Sequence, residues 1–177
     1  MNPAKSVSRT VIKKYFENYV QQCKIIEGIN CSKRKVRRPN FPEVISEHIV
    51  YYYLVKNEAG EFAWDVDNGD LTRELNGKVS KIEVKCTSSD GPLSFGPTQY
   101  WDELFFVDAS RFWKEQFSIY KVHCNKSHFD KLKVNSAQTI GQQSGQMRRP
   151  RISFPKLKRQ LGPLCKCVFV GKIDQLL

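Results

Sequence analysis

The sequence predicts an α/β domain with a mixed central β-sheet flanked by helices. Three observations carry this: apolar residues at helical period at the start of the chain, an Asn-Gly turn between β-rich segments in the middle, and a short helix followed by a strand at the end.

From Ser6 to Glu27, Val7, Val11, Ile12, Tyr15, Phe16, Tyr19, Val20, Cys23 and Ile26 recur at the spacing of a helical face. The basic run that follows, Lys33, Arg34, Lys35, Arg37 and Arg38, has to be solvated or bound to an anion, which places it in a loop. A second helix begins near Asn40, a good N-cap, with Pro42 in the first turn and Glu43 at the positive end of the helix dipole. Tyr51, Tyr52 and Tyr53 fan around that helix and read as packing residues.

After Gly60 the pattern turns to strands: Glu61 to Val66, the arms of a hairpin around Asn76-Gly77, Leu104 to Ala109, and Phe117 to His123. A helical link joins the last two through Ser110 to Gln116. A short helix is expected over Ser127 to Val134, and a long irregular loop over Asn135 to Ser153. Ser153 then caps a helix from Phe154 to Leu161, with Pro155 in its first turn and Gly162 at its end; Cys165 to Gly171 is the last strand.

The 177 residues carry 29 Lys and Arg against 18 Asp and Glu, a formal charge of +11. That surplus exceeds what solubility needs and points to an anionic partner. No run approaches the about 18 apolar residues of a membrane span, and the first residues lack an apolar signal core, so a cytoplasmic protein without a membrane partner is expected. The six cysteines lack the spacing of a disulfide framework. Cys165 and Cys167, with His123, Cys124 and His128, match no standard zinc spacing and read as buried thiols.

The hairpin holds the chemistry. With Asn76-Gly77 as a type I′ loop, Leu75 faces Lys78, Leu71 faces Ile82 and Asp70 faces Glu83. Alternation then puts Asp70, Glu83 and Lys85 on one side of the sheet and Leu71, Ile82, Val84 and Cys86 on the other. Opposed carboxylates repel unless neutralised, and hard oxygen ligands without nearby His or Cys suit magnesium or manganese. An ammonium beside them can order a water or stabilise negative charge on a phosphate, so the three side chains are the parts of a phosphodiester hydrolase.

Asp70 with "IEVKC" resembles the P-D…(D/E)-x-K nuclease superfamily, in particular its small type II restriction endonucleases. "PNFPEVISEHIV" and "SSDGPLSFGPTQYWDELFFVDA" look like blocks of short restriction enzymes from bacteria and large DNA viruses. The likeness runs roughly from Arg38 to Arg159, with Gly69 standing where the motif has a proline. The resemblance implies a restriction-endonuclease-like core with Mg2+, or Mn2+ in its place, held by Asp70, Glu83 and the backbone carbonyl of Val84. Lys85 would position or activate the attacking water. A further acid is implied on the preceding helix, where Glu43 and Glu47 share a face; Glu47 is favoured, because Glu43 already serves the helix N-terminus.

For holding DNA, the basic cluster of Lys33, Lys35, Arg37 and Arg38 is one candidate surface and the C-terminal third is another, with 12 basic and two acidic residues from Gln116 onward. Gln143, Gln146, Arg148, Arg149 and Arg151 have the planar donors and acceptors that read bases, on a loop expected to order upon binding. Ser88, Ser89, Ser94 and Gln99 leave the catalytic strand directly and are expected to contact bases or backbone.

The expectation is thus a single nuclease domain over 1–177: an N-terminal helix and basic loop (1–38), a catalytic core (39–125), and a DNA-facing loop, helix and strand (126–177). It would act as a type II restriction endonuclease on double-stranded DNA, as a homodimer paired with a cognate methyltransferase, in a bacterial or virus-infected cytoplasm. A structure-specific nuclease of junction-resolvase or repair type, and a non-catalytic basic DNA-binding protein, are the alternatives.

Overall fold

The computed structural model describes residues 7–30, 36–64, 70–89 and 91–177. Helix α1 (Arg9–Asn30) buries Ile12, Phe16, Tyr19 and Cys23, the arc its periodicity marks. Val11 and Tyr15 fall just outside that arc and are exposed.

Helix α2 (Glu43–Asn57) starts later than the Asn40 cap predicts. Pro42 is the capping residue, extended at ψ 127, and its carbonyl accepts from Ile45 and Ser46 at 3.1 and 3.3 Å. The cause is Phe41, which precedes a proline, so the helical region is disfavoured for it. It is also buried against Phe16, Tyr19, Phe112 and Phe117. Glu43 does occupy the first turn. Ile45, His48, Ile49, Val50, Tyr52, Tyr53 and Leu54 are all buried, so α2 lies inside the molecule rather than on it.

Six strands form one sheet in the order β1-β2-β3-β5-β6-β8. They are β1 (Glu61–Trp64), β2 (Leu71–Leu75), β3 (Lys78–Thr87), β5 (Glu103–Asp108), β6 (Gln116–Val122) and β8 (Cys165–Lys172). β3 and β5 are parallel and every other pair is antiparallel, which makes the sheet mixed as expected. The hairpin register is the one the Asn-Gly turn dictates: Leu71 pairs with Ile82 and Leu75 with Lys78, with φ of 53° at Asn76 and 75° at Gly77.

Each face of the sheet carries its own core. Ile82, Val84, Phe105, Val107, Phe117 and Ile119 meet α1 and α2 on one side. On the other, Leu104, Phe106, Tyr120 and Val122 meet Phe95, Trp101, Phe129, Ile140, Phe154 and Leu157. Because Glu83 pairs with Leu104 and Lys85 with Phe106, both charged side chains stand on the second face, at the margin of that second core.

The C-terminal part is more regular than its composition predicts. The short helix α3 spans only Lys126–Phe129, with Asn125 capping it. Within the expected loop lie helix α4 (Ile140–Gly145) and strand β7 (Arg151–Ser153), which pairs with β4 (Pro92–Ser94). A capping box starts α4: Thr139 accepts from the Gln142 backbone while the Gln142 side chain accepts from Thr139. Ile140, 1% exposed, anchors it in the second core, so the segment is folded rather than irregular. Helix α5 (Phe154–Leu161) runs from Ser153 to Gly162 as expected, although the Ser153 hydroxyl makes no capping bond.

Candidate active site

Asp70 immediately precedes β2, and its carboxylate Oδ2 accepts the Val84 N–H at 2.7 Å. This bond ties the acid to the middle of β3, between Glu83 and Lys85. Glu83 is 3% exposed, and its Oε1 accepts from both the Lys85 ammonium and, at 2.5 Å, the Gln99 amide. From α2, Glu47 reaches toward the same acids, its Oε2 accepting the Trp64 indole N–H at 2.6 Å. The structure therefore brings Asp70, Glu83 and Lys85 together, with Glu47 close enough to act on both acids.

Electrostatics tie the group together. Burial raises the Asp70 carboxyl above its ordinary value, against the Val84 bond and Lys85, which pull it down. Glu83 is likewise raised by burial first and by Asp70, with Lys85 and Gln99 opposing. Glu47 is pushed up to about 7 by burial, with Asp70, Glu43 and Glu83 adding repulsion and Trp64 opposing. Three acids out of water, with one lysine among them, hold a surplus of negative charge. Glu43, though it acts on Asp70 and Glu47, is exposed at the start of α2.

That surplus suits a divalent cation, and the donors are all hard oxygens. Among the described residues no three His, Cys, Asp or Glu side chains close around a common ion site.

The candidate DNA residues divide. Lys33 and Lys35 lie outside the described residues. Arg37 is exposed, whereas Arg38 pairs with Glu27 and lies over the Trp113 ring at 4.8 Å. Ser88 is half-buried; Ser89 is exposed, its hydroxyl accepting from Gly91 at 3.3 Å. Ser94 pairs with Arg151 across the β4–β7 ribbon. Gln143 is buried and donates to Gln138 at 3.1 Å, and Gln138 also binds Gln146 and Arg148. Gln146, Arg148, Arg149 and Arg151 remain exposed.

Two contacts escape a reading of the sequence. Trp64 meets Glu47 only because β1 and α2 pack together. Gln99 is turned onto Glu83 rather than outward, and no local pattern distinguishes it from the polar residues around it.

A mixed six-stranded sheet flanked by helices on both faces, with a cluster of acids and a lysine beside its second core, is the architecture of a restriction-endonuclease-like core. The chain belongs to the Bsp6I restriction endonuclease family, whose model matches residues 5–158. It is 34% identical over 119 residues to the type II restriction enzyme Bsp6I of Bacillus sp. (strain RFL6). That match covers 66% of this chain and 64% of the relative. No solved structure matches.

Proposed function

We propose that this chain is a type II restriction endonuclease, a site-specific deoxyribonuclease that hydrolyses duplex DNA with a P-D…(D/E)-x-K type of site. The observation that carries this is the convergence of Asp70, Glu83 and Lys85 around the Val84 amide in a chain of the Bsp6I family. One water adds across a phosphodiester, the P–O3′ bond breaks, and a 5′-phosphate and a 3′-hydroxyl remain.

Asp70, Glu83 and the Val84 carbonyl are the residues that would hold Mg2+. When bound, such an ion neutralises charge at the scissile phosphate and makes a water more acidic there. Glu83 holds Lys85 in place, so the ammonium is aimed at the attacking water or at a non-bridging phosphate oxygen. Glu47, held by Trp64 and with its carboxyl pushed up to about 7, would take a proton from that water.

Arg148, Arg149 and Arg151, with Gln146, face outward on the segment between α4 and α5 and supply the phosphate and base contacts. Arg37 extends the basic surface. A palindromic site calls for two copies of the chain, hence a homodimer, and a cognate methyltransferase would guard the host genome. Among the described residues no helix is long and apolar enough to cross a membrane.

The test is plasmid cleavage in Mg2+ by the wild-type chain and by Lys85→Ala, alongside gel-shift binding in Ca2+. The expected result is fragments at defined sites from wild type, and none from the variant, which still binds. Normal cutting by Lys85→Ala would refute the assignment.

A further inference from the structure

We infer that Gln99 is a positioning residue that orients Glu83 and reserves one of its two oxygens for the cation; this rests on the nuclease reading above. The donors on Glu83 are one-sided: Lys85 and Gln99 both donate to Oε1, while the Asp70 carboxylate lies within hydrogen-bonding distance of Glu83. A carboxylate held by two donors on one oxygen keeps its rotamer and presents the other oxygen in a fixed direction.

Gln99 is itself held. Its Oε1 accepts the Gly96 N–H at 3.0 Å, which fixes which end of the amide is the nitrogen and so makes Nε2 the donor to Glu83. The loop that carries it is pinned at both ends. On one side, the Phe95 N–H donates to the Pro150 carbonyl at 3.1 Å. On the other, the Asp102 N–H donates to the Lys81 carbonyl and the Asp102 carboxylate accepts the Lys81 N–H, each at 2.9 Å. Phe95 and Trp101 bracket Phe129, with ring centroids 5.2 and 5.4 Å away, so the loop rides on the second core. The strap is thus rigid, and its one long polar side chain ends on the buried acid.

Gly96 permits this close approach. A Cβ there would stand 3.2 Å from the Gln99 Cβ, which has to give way by a few tenths of an ångström. Gly96→Ala therefore presses on the Gln99 Cβ by a few tenths of an ångström without removing its amide.

The experiment is a Mn2+ titration of the full chain without DNA, followed by the electron paramagnetic resonance signal of the free ion. Wild type, Glu83→Gln, Gln99→Met and Gly96→Ala are compared, with melting in EDTA as the folding control. Wild type is expected to bind and Glu83→Gln to lose binding. Gln99→Met should bind about tenfold more weakly, the usual scale for removing a group that orients a ligand. In cleavage, the Mg2+ concentration for half-maximal rate should rise by the same factor, while the rate at saturating Mg2+ is kept; a purely structural role would lower that rate or the melting point instead. Wild-type Mn2+ affinity in folded Gln99→Met would overturn the role of Gln99 and leave the nuclease reading standing. Absence of Mn2+ binding by wild type would overturn both. Should Gln99→Met fail to fold, Gly96→Ala decides: weaker binding supports the assignment, and unchanged affinity overturns it.

Discussion

Asp70→Asn separates what the active site does for catalysis from what it does to stability. The amide keeps an oxygen acceptor for the Val84 N–H, now 2.7 Å from Oδ2, but removes one charge from beside Glu83. Burial first, and Glu43 in addition, raise the Asp70 carboxyl above its ordinary 3.8. A raised carboxyl favours folding below its ordinary value, and that contribution is lost as pH rises through the folded value. At neutral pH the charge therefore opposes folding. Relieving such functional strain commonly gains about 0.5–2 kcal/mol. For a chain of this length about 1 kcal/mol moves the melting point by about 2–4 °C, so in EDTA the variant should melt a few degrees above wild type. Mg2+ reverses the order. At about ten times its dissociation constant, a bound ion stabilises by RT ln 11, about 1.4 kcal/mol, and only wild type should gain it. Differential scanning calorimetry in EDTA and in Mg2+ reads both effects. A variant that melts below wild type in EDTA, or that shifts equally with Mg2+, would show that Asp70 is a structural acid and not a ligand.

Two further outcomes are expected. Arg148→Ala and Arg149→Ala should each lower the salt dependence of DNA binding by about one unit of slope if they hold phosphates. Unchanged slope and unchanged site preference, measured by fluorescence anisotropy across a salt series, would remove that segment from the interface. His48 is wholly buried, its Nδ1–H donating to the Val44 carbonyl at 2.8 Å and its Nε2 accepting from Val7 at 3.2 Å. Burial lowers its pKa from 6.5, so the stability it provides is present above that value and is lost as pH falls through the folded value. Glu47, raised to about 7, works in the opposite sense over the same range, so the informative quantity is the difference between wild type and His48→Met in urea melts. Equal slopes against pH in the two proteins would exclude His48.

The sequence by itself determined the hairpin and what stands on it. Asn76-Gly77 admits one tight turn, the turn admits one register, and strand alternation then assigns Glu83 and Lys85 to one face and Ile82 and Val84 to the other. These are local, short-range constraints, so they survive without knowledge of the rest of the chain. The ends of α5 were legible for the same reason, in Ser153, Pro155 and Gly162. Composition misled where packing overrode it: the polar stretch from Asn135 to Ser153 reads as a loop, yet burial of Ile140 and the Thr139–Gln142 box fold α4 within it.

Tertiary structure alone decided the partners that come from far along the chain. Trp64 finds Glu47, Gln99 finds Glu83, and Arg73 and Lys121 join Glu58 and Glu103 in a half-buried ionic network between the residue that follows α2 and strands β2, β5 and β6. None of these pairs has a spacing to recognise, because side-chain meetings between elements depend on how those elements pack, and packing is set by the summed fit of both cores. The charges of the site are written in the hairpin; the direction in which they point is fixed by everything folded around it.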